Sequence, residues 1–245
     1  MSGIGSEFQK RTIYTHHNIG GRALDWTKKP PAFKRYKASR SINLCKPKIE
    51  GGIPLWQTLK TRRSWRDFEE TPISFETLSQ LIWATQGITG VEGDTLFRTA
   101  PSAGGLFPIE TYLVINRVEG LESGLYHLFL PEWKLELLSA GNLGRTLAQA
   151  ALGQGMMSKA AANFIWTAVI YRSAWKYEQR AYRYIYLDSG HICQNLYLAC
   201  ESLKLGCCAV GAFFDGDVNQ LLGVDSNEET AVYLAAVGKK LKTNQ

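Results

Sequence analysis

Ile185-Tyr-Leu-Asp-Ser-Gly-His-Ile-Cys-Gln-Asn-Leu-Tyr-Leu-Ala-Cys-Glu-Ser-Leu-Lys204 is the stretch that decides the fold. Its apolar side chains occupy nearly every face of a 3.6-residue period, which predicts a long helix over 185–204, buried centrally and stopped by Gly206. Apolar runs of strand length flank it at 164–171 and 207–214. Downstream, a short helix at 216–222, capped by Asp215 and ended by Gly223, precedes a last strand at 230–238. Upstream, residues 142–162 read as alanine-rich helix interrupted by Gly153 and Gly155. Strands are expected near 124–130 and 134–139, joined by a turn at Pro131, and at 109–117, which is rich in β-branched and aromatic residues. Ser74 caps a helix with the apolar stripe Phe75, Leu78, Leu81 and Ile82, and residues 54–63 form another with Leu55, Trp56 and Leu59 on one face.

Residues 1–50 carry little periodicity and read as an arm of unknown role, lying across its own domain or a partner subunit; residues 51–245 form the domain. Helices and strands mix without strict β-α-β alternation, so the fold class is α+β rather than a doubly wound sheet. Neither a G-x-G-x-x-G after a strand nor a phosphate-binding G-x-x-x-x-G-K-[ST] is present.

The 245 residues are 45% hydrophobic, enough for a substantial core, and no apolar run is long enough to span a bilayer. The net charge of +6 is scattered, with short basic clusters at Lys28–Lys37, Arg62–Arg66 and Lys239–Lys242. These make no continuous stripe, so no nucleic-acid partner is expected; a small anion is. The N-terminus lacks a secretory pattern, and five cysteines without a C-x-x-C pair imply reduced thiols in a cytoplasm. Adjacent Cys207 and Cys208 suit tetrahedral chelation poorly, so no metal site is expected.

Four segments carry chemistry. In Arg62-Arg63-Ser64-Trp65-Arg66-Asp67-Phe68, guanidinium forks and a hydroxyl fit phosphate oxygens, and an extended backbone aims residues 62, 64 and 66 to one side. Arg98-Thr-Ala-Pro-Ser-Ala-Gly-Gly-Leu-Phe-Pro108 allows close approach of main-chain amides to a ring or phosphate. Ala174–Tyr186 packs cations among aromatics, and its Lys176-Tyr177 pair offers an ammonium and a phenol for proton transfer. Ala209-Val-Gly-Ala-Phe213 ends a strand with small residues, and Val237-Gly-Lys-Lys240 follows later. Taken singly, each reads first as a solvated turn or core packing.

In this order, and with Trp83-Ala-Thr-Gln-Gly87, Gly124-Leu-Tyr-His127 and Leu187-Asp-Ser-Gly-His191, the segments resemble the FMN-dependent nitroreductase superfamily. Within it they are similar to the SagB-type dehydrogenases, the branch that includes azoline-oxidising subunits of peptide-modifying complexes. The resemblance implies a central, mostly antiparallel sheet flanked by helices in an intertwined homodimer, with FMN as cofactor. It implies that Arg62, Arg63, Ser64 and Arg66 hold the FMN phosphate and pyrimidine side, with Lys239 or Lys240 contributing. Pro101, Ser102, Ala103 and Gly104 would reach the FMN of the other subunit, and the main chain at Gly211 and Ala212 would donate towards flavin N5. Lys176 and Tyr177 match the catalytic pair of the azoline-oxidising members, and Arg180 and Arg183, if close, would depress the lysine. The implied activity is hydride transfer between flavin and an organic or peptide-derived substrate. An NAD(P)H-dependent nitro- or enone-reductase, and a flavin-binding scaffold within a modifying complex, stay open as alternatives.

Overall fold

A computed structural model describes residues 3–18, 23–38, 40–93 and 95–241; Lys242 of the last basic cluster lies outside them. In chain order the elements are α1 (Ile4–Arg11), β1 (Ser41–Asn43), α2 (Leu55–Thr61), α3 (Phe75–Gln86), β2 (Ile88–Glu92), β3 (Thr95–Arg98), β4 (Ile109–Ile115) and β5 (Gly124–Phe129). There follow β6 (Lys134–Ala140), α4 (Gly144–Ala150), α5 (Met156–Lys159), β7 (Ala162–Val169), α6 (Ile170–Tyr177), α7 (Ala181–Ser202), β8 (Leu205–Val210), α8 (Asp215–Leu222) and β9 (Glu229–Lys239).

Seven strands form one sheet in the order β1-β6-β5-β4-β7-β9-β8, every neighbouring pair antiparallel. Period-2 alternation sends Leu113, Ile115, Phe164, Trp166, Cys207, Ala235 and Val237 to one face, where they pack on α3 and α7. Tyr112, Val114, Ile165, Cys208, Leu234 and Ala236 face the other way, onto α4, α5 and α8. Helices cover both faces, so β4 is buried at every position, its Glu110 and Thr111 included. The same alternation separates the adjacent thiols: Cys207 and Cys208 belong to opposite layers. No helix among the described residues is long and apolar enough to cross a membrane.

Local chemistry explains most boundaries. The Ser74 side chain accepts from the Thr77 amide and opens α3, as its sequence position predicts. Gly206 does not stop α7. The left-handed turn falls on Lys204 (φ 61°), while Gly206 sits in β8 against Trp65, whose Cδ1 would lie 2.9 Å from an added Cβ. Asp215 is not the cap of α8 either; Phe214 holds that position and Asp215 lies in the first turn, where its charge favours the helix N-terminus. The apolar face of α2 points outward, with Trp56 81% exposed. The β2–β3 hairpin had no counterpart in the sequence reading.

The first fifty residues contribute directly to the domain. Strand β1 is an edge of the sheet, pairing with β6. Residues 34–36 roof a polar band that crosses the sheet from β6 to β9. In it, Glu136 and Glu110 each meet one ring nitrogen of fully buried His127, at 3.0 and 3.1 Å, and Arg172 pairs with Glu110 at 2.6 Å. Lys34 Nζ reaches Glu229 at 2.6 Å and Tyr112 Oη at 2.9 Å, and Tyr112 and Thr167 also donate to Glu229.

Two outcomes follow from this packing. Leu196→Ala empties a fully buried site between α7 and the sheet and lowers unfolding free energy by about 2–5 kcal/mol in urea titration, with an unchanged slope. Burial pushes the Glu110 carboxyl up, but hydrogen bonds and charge from His127 and Arg172 outweigh it and hold it below its ordinary 4.5. The unfolded chain therefore binds this proton more tightly. Stability from Glu110 is present above pH 4.5 and is lost as pH falls through the native value. Glu110→Gln is expected to flatten the acid limb of stability against pH between about 5 and 3.

Candidate active site

Arg62 ends α2, and the chain then runs extended, adding Ser64 in parallel to the β8 edge opposite Cys207, with the Trp65 amide donating to the Cys207 carbonyl at 2.9 Å. This extended stretch turns Arg62 and Ser64 to one side, where both meet Tyr197 of α7. The Arg62 guanidinium lies 5.1 Å from the Tyr197 ring centroid, and Ser64 Oγ is 3.0 Å from Tyr197 Oη. Tyr197 Oη in turn accepts from the Ala209 amide at 2.8 Å. Burial pushes the Cys208 thiol up, and the positive charge of Arg66 nearby opposes that. Arg63 turns away and donates to the Lys60 and Arg62 carbonyls at the end of α2.

Among the described residues Arg62 and Arg66 form no ion pair, and the Gly211 and Ala212 amides, exposed just past β8, meet no acceptor. Cations without an ion pair and donors without an acceptor thus share one surface. Lys240 is engaged: its ammonium pairs with Glu201 at 2.7 Å and lies over the Trp65 ring. Lys239 is exposed beside it, and both line an open cavity with Ile53, Trp65 and Lys204.

The loop 98–108 lies elsewhere. Ser102 Oγ donates to Asp188 at 2.5 Å, the Ala103 amide donates to the same carboxylate at 3.2 Å, and Ser102 also accepts from the Phe107 amide. Pro101 leads exposed into this turn. Gly104 takes φ 63°, and a Cβ there would fall 2.3 Å from Tyr177 Oη and 3.0 Å from Lys176 Nζ. The tips of Lys176 and Tyr177 therefore converge on Gly104, whose left-handed backbone and lack of a Cβ leave them room. Adjacent residues achieve this because α6 ends at Tyr177 and the chain breaks at Glu178 (φ 48°, ψ −131°). Burial pushes the Tyr177 phenol up, with the charges of Tyr184 and Asp188 adding to it. Arg180 and Arg183 do not attend Lys176. Arg180 donates to Tyr184 and the Thr12 carbonyl, Arg183 to Thr12 and the Gln9 carbonyl.

Asp188 and Tyr197 are nine residues apart on α7, two and a half turns or about 13 Å along the axis, so they leave opposite faces. Within one chain the expected residues thus form two clusters. Arg62, Ser64 and Arg66 gather with Tyr197 and the end of β8, while Pro101–Gly104 gather with Lys176 and Tyr177. Of the residues that organise the clusters, Asp188 stands in one of the resemblance motifs without a role assigned from sequence, and Tyr197 is not singled out there. A carboxylate in a largely apolar helix is the signal that marks Asp188.

A model of the nitroreductase family matches residues 59–239. MJ1384 of Methanocaldococcus jannaschii, described as a nitroreductase, is 34% identical over 196 residues, covering 80% of this chain and 96% of that protein. The trifolitoxin-processing protein TfxB of Rhizobium leguminosarum bv. trifolii is 30% identical over 145 residues, 57% of this chain. A nitroreductase structure from Anabaena variabilis superposes with a TM-score of 0.79 and 31% identity over 97% of this chain. The chain spans 39% of TfxB and 46% of the Anabaena protein. The sheet buried on both faces and both clusters fall almost wholly within the matched span, and the chain belongs to the nitroreductase family of oxidoreductases.

Proposed function

We propose that the chain is an FMN-dependent, SagB-type dehydrogenase that works as a homodimer on a peptide-derived or small heterocyclic substrate of the azoline kind. The observation that carries this reading is the division of the site residues between opposite faces of α7. Each cluster opens outward and is incomplete, as expected when two copies share two sites. The first cluster fits a phosphorylated flavin: Arg62 and Arg66 lack anionic partners, Ser64 adds a hydroxyl, and free amides at Gly211 and Ala212 suit a flat, acceptor-edged ring. Kinship with TfxB, a trifolitoxin-processing protein, supports a role in processing a precursor.

Bound there, the flavin would supply a two-electron hydride acceptor or donor. The chain's own part is positioning and proton handling. Arg62, Ser64 and Arg66 hold the anionic end, and the second cluster of the partner copy closes the site. Tyr177 keeps its proton at neutral pH because burial and neighbouring negative charge raise it, so Tyr177 Oη donates a hydrogen bond to the substrate. Lys176 Nζ, beside it at Gly104, takes or returns the proton that accompanies hydride transfer.

Purified protein is expected to show oxidised-flavin absorption and to release FMN on denaturation. Arg62→Gln and Arg66→Gln each weaken FMN binding about ten- to hundredfold, the worth of one charge-assisted hydrogen bond, in a fluorescence titration of the apoprotein. A colourless protein that takes up no FMN overturns the reading. With FMN content unchanged, Lys176→Ala lowers kcat on an azoline peptide by about 10²-fold or more, and Gly104→Ala, which displaces Tyr177 Oη, lowers it as well. Unaltered kcat in both removes the pair from the reaction.

A further inference from the structure

Beside Gly104, and away from the Arg62, Ser64 and Arg66 cluster, lies a cavity of about 310 Å³, within the size range of small-ligand sites. Four cations line it: Lys29, Arg98, Arg172 and Lys176. Among the described residues no carboxylate lines it. Arg172 is already matched, pairing with Glu110 at 2.6 Å. Arg98 is not. Its Nη1 donates to the neutral amide oxygen of Gln86 at 3.0 Å, while its Nε is buried without any acceptor. Burial pulls Arg98 down to about 10, Glu110 opposes that and Arg172 reinforces it. A guanidinium taken out of water with one neutral partner is costly unless an anion completes it.

Four aromatic rings complete the walls. Phe107 lies under the Arg98 guanidinium at 4.2 Å and Phe33 at 5.5 Å, while Trp26 and Trp175 meet edge to face at 5.4 Å. The outer wall is the N-terminal segment, clamped by main-chain acceptors: Arg172 Nε donates to the Pro31 carbonyl at 2.9 Å and Trp175 Nε1 to the Asp25 carbonyl at 3.1 Å. The cavity is therefore built by the fold, with the half-buried Arg98 inside it, an exposed cation at Lys29, and flat apolar faces between.

We infer that this cavity binds the carboxylate of an acid with an apolar, ring-sized body, Arg98 taking the charge and the aromatic residues the body. As a site for the substrate's own acid group it rests on Lys176 and Tyr177 being at the reaction centre; as a carboxylate site it does not. The guanidinium fork matches the two oxygens of a carboxylate, and the amide of the same acid forfeits that charge.

The test is calorimetric titration of the full chain with phenylacetate and with phenylacetamide, alongside tryptophan fluorescence from Trp26 and Trp175. Phenylacetate is expected to bind at least tenfold more tightly than the amide, and less tightly as salt rises. Arg98→Gln removes that preference. Lys29→Gln, on an exposed segment remote from the core, reduces it two- to threefold and serves where Arg98→Gln fails to fold. Equal binding of acid and amide, no binding of either, or displacement by inorganic phosphate as effective as by phenylacetate each overturns the inference. Flavin content is read in the same samples. A protein that takes up no added FMN and still prefers the carboxylate refutes the FMN reading alone, and a flavin-loaded one with no preference refutes the carboxylate site alone.

Discussion

Helix α7 is apolar enough along its length to need cover on several sides, and the chain supplies α3 on one flank and the sheet on the other. This burial fixes more than stability. A rigid rod of 22 residues sets the spacing and orientation of whatever hangs on it. Asp188 holds the 98–108 loop near one end, and Tyr197 collects Arg62, Ser64 and the Ala209 amide near the other. The two clusters cannot drift towards each other without unpacking the core, so their separation belongs to the fold.

The polar band under residues 34–36 adds a second constraint. Carboxylates of β4, β6 and β9 are buried and are satisfied by His127, Arg172, Lys34, neighbouring hydroxyls and the main-chain amides of residues 34 and 36. Breaking one member leaves an uncompensated charge, which costs about 3–5 kcal/mol. Lys34 and the Tyr36 amide come from the first fifty residues, so that segment completes the electrostatics of the sheet as well as one wall of the cavity beside Gly104.

Much of this was legible in the sequence. The β-branched run of β4, the Ser74 cap and the apolar character of α7 each announce their element, because a local cause produces them. What was missed depends on contacts between distant parts. Gly206 looks like a helix stop, but its reason is Trp65, some 140 positions away in sequence. Leu55, Trp56 and Leu59 have helical spacing, which says they share a face and not what covers it. Residues 1–50 lack periodicity, yet Ile42 pairs with Leu135 and Lys34 with Glu229, and neither contact leaves a local pattern. At the site, the Lys176-Tyr177 pair was readable as chemistry. That both tips converge on Gly104 required the break at Glu178. Arg180 and Arg183, a few positions on in sequence, serve the N-terminal segment instead.

The outer wall of the cavity is held by its main chain. Arg172 and Trp175 grip the carbonyls of Pro31 and Asp25, groups that every residue type carries, so the clamp does not read the side chains it secures. Lys29, exposed on this segment, is thereby free to change while the segment keeps its course. Exchange there would retune which molecule enters, without disturbing the rods and sheet behind. Selectivity and scaffold then evolve as separable traits, and divergence among relatives should concentrate along this strip.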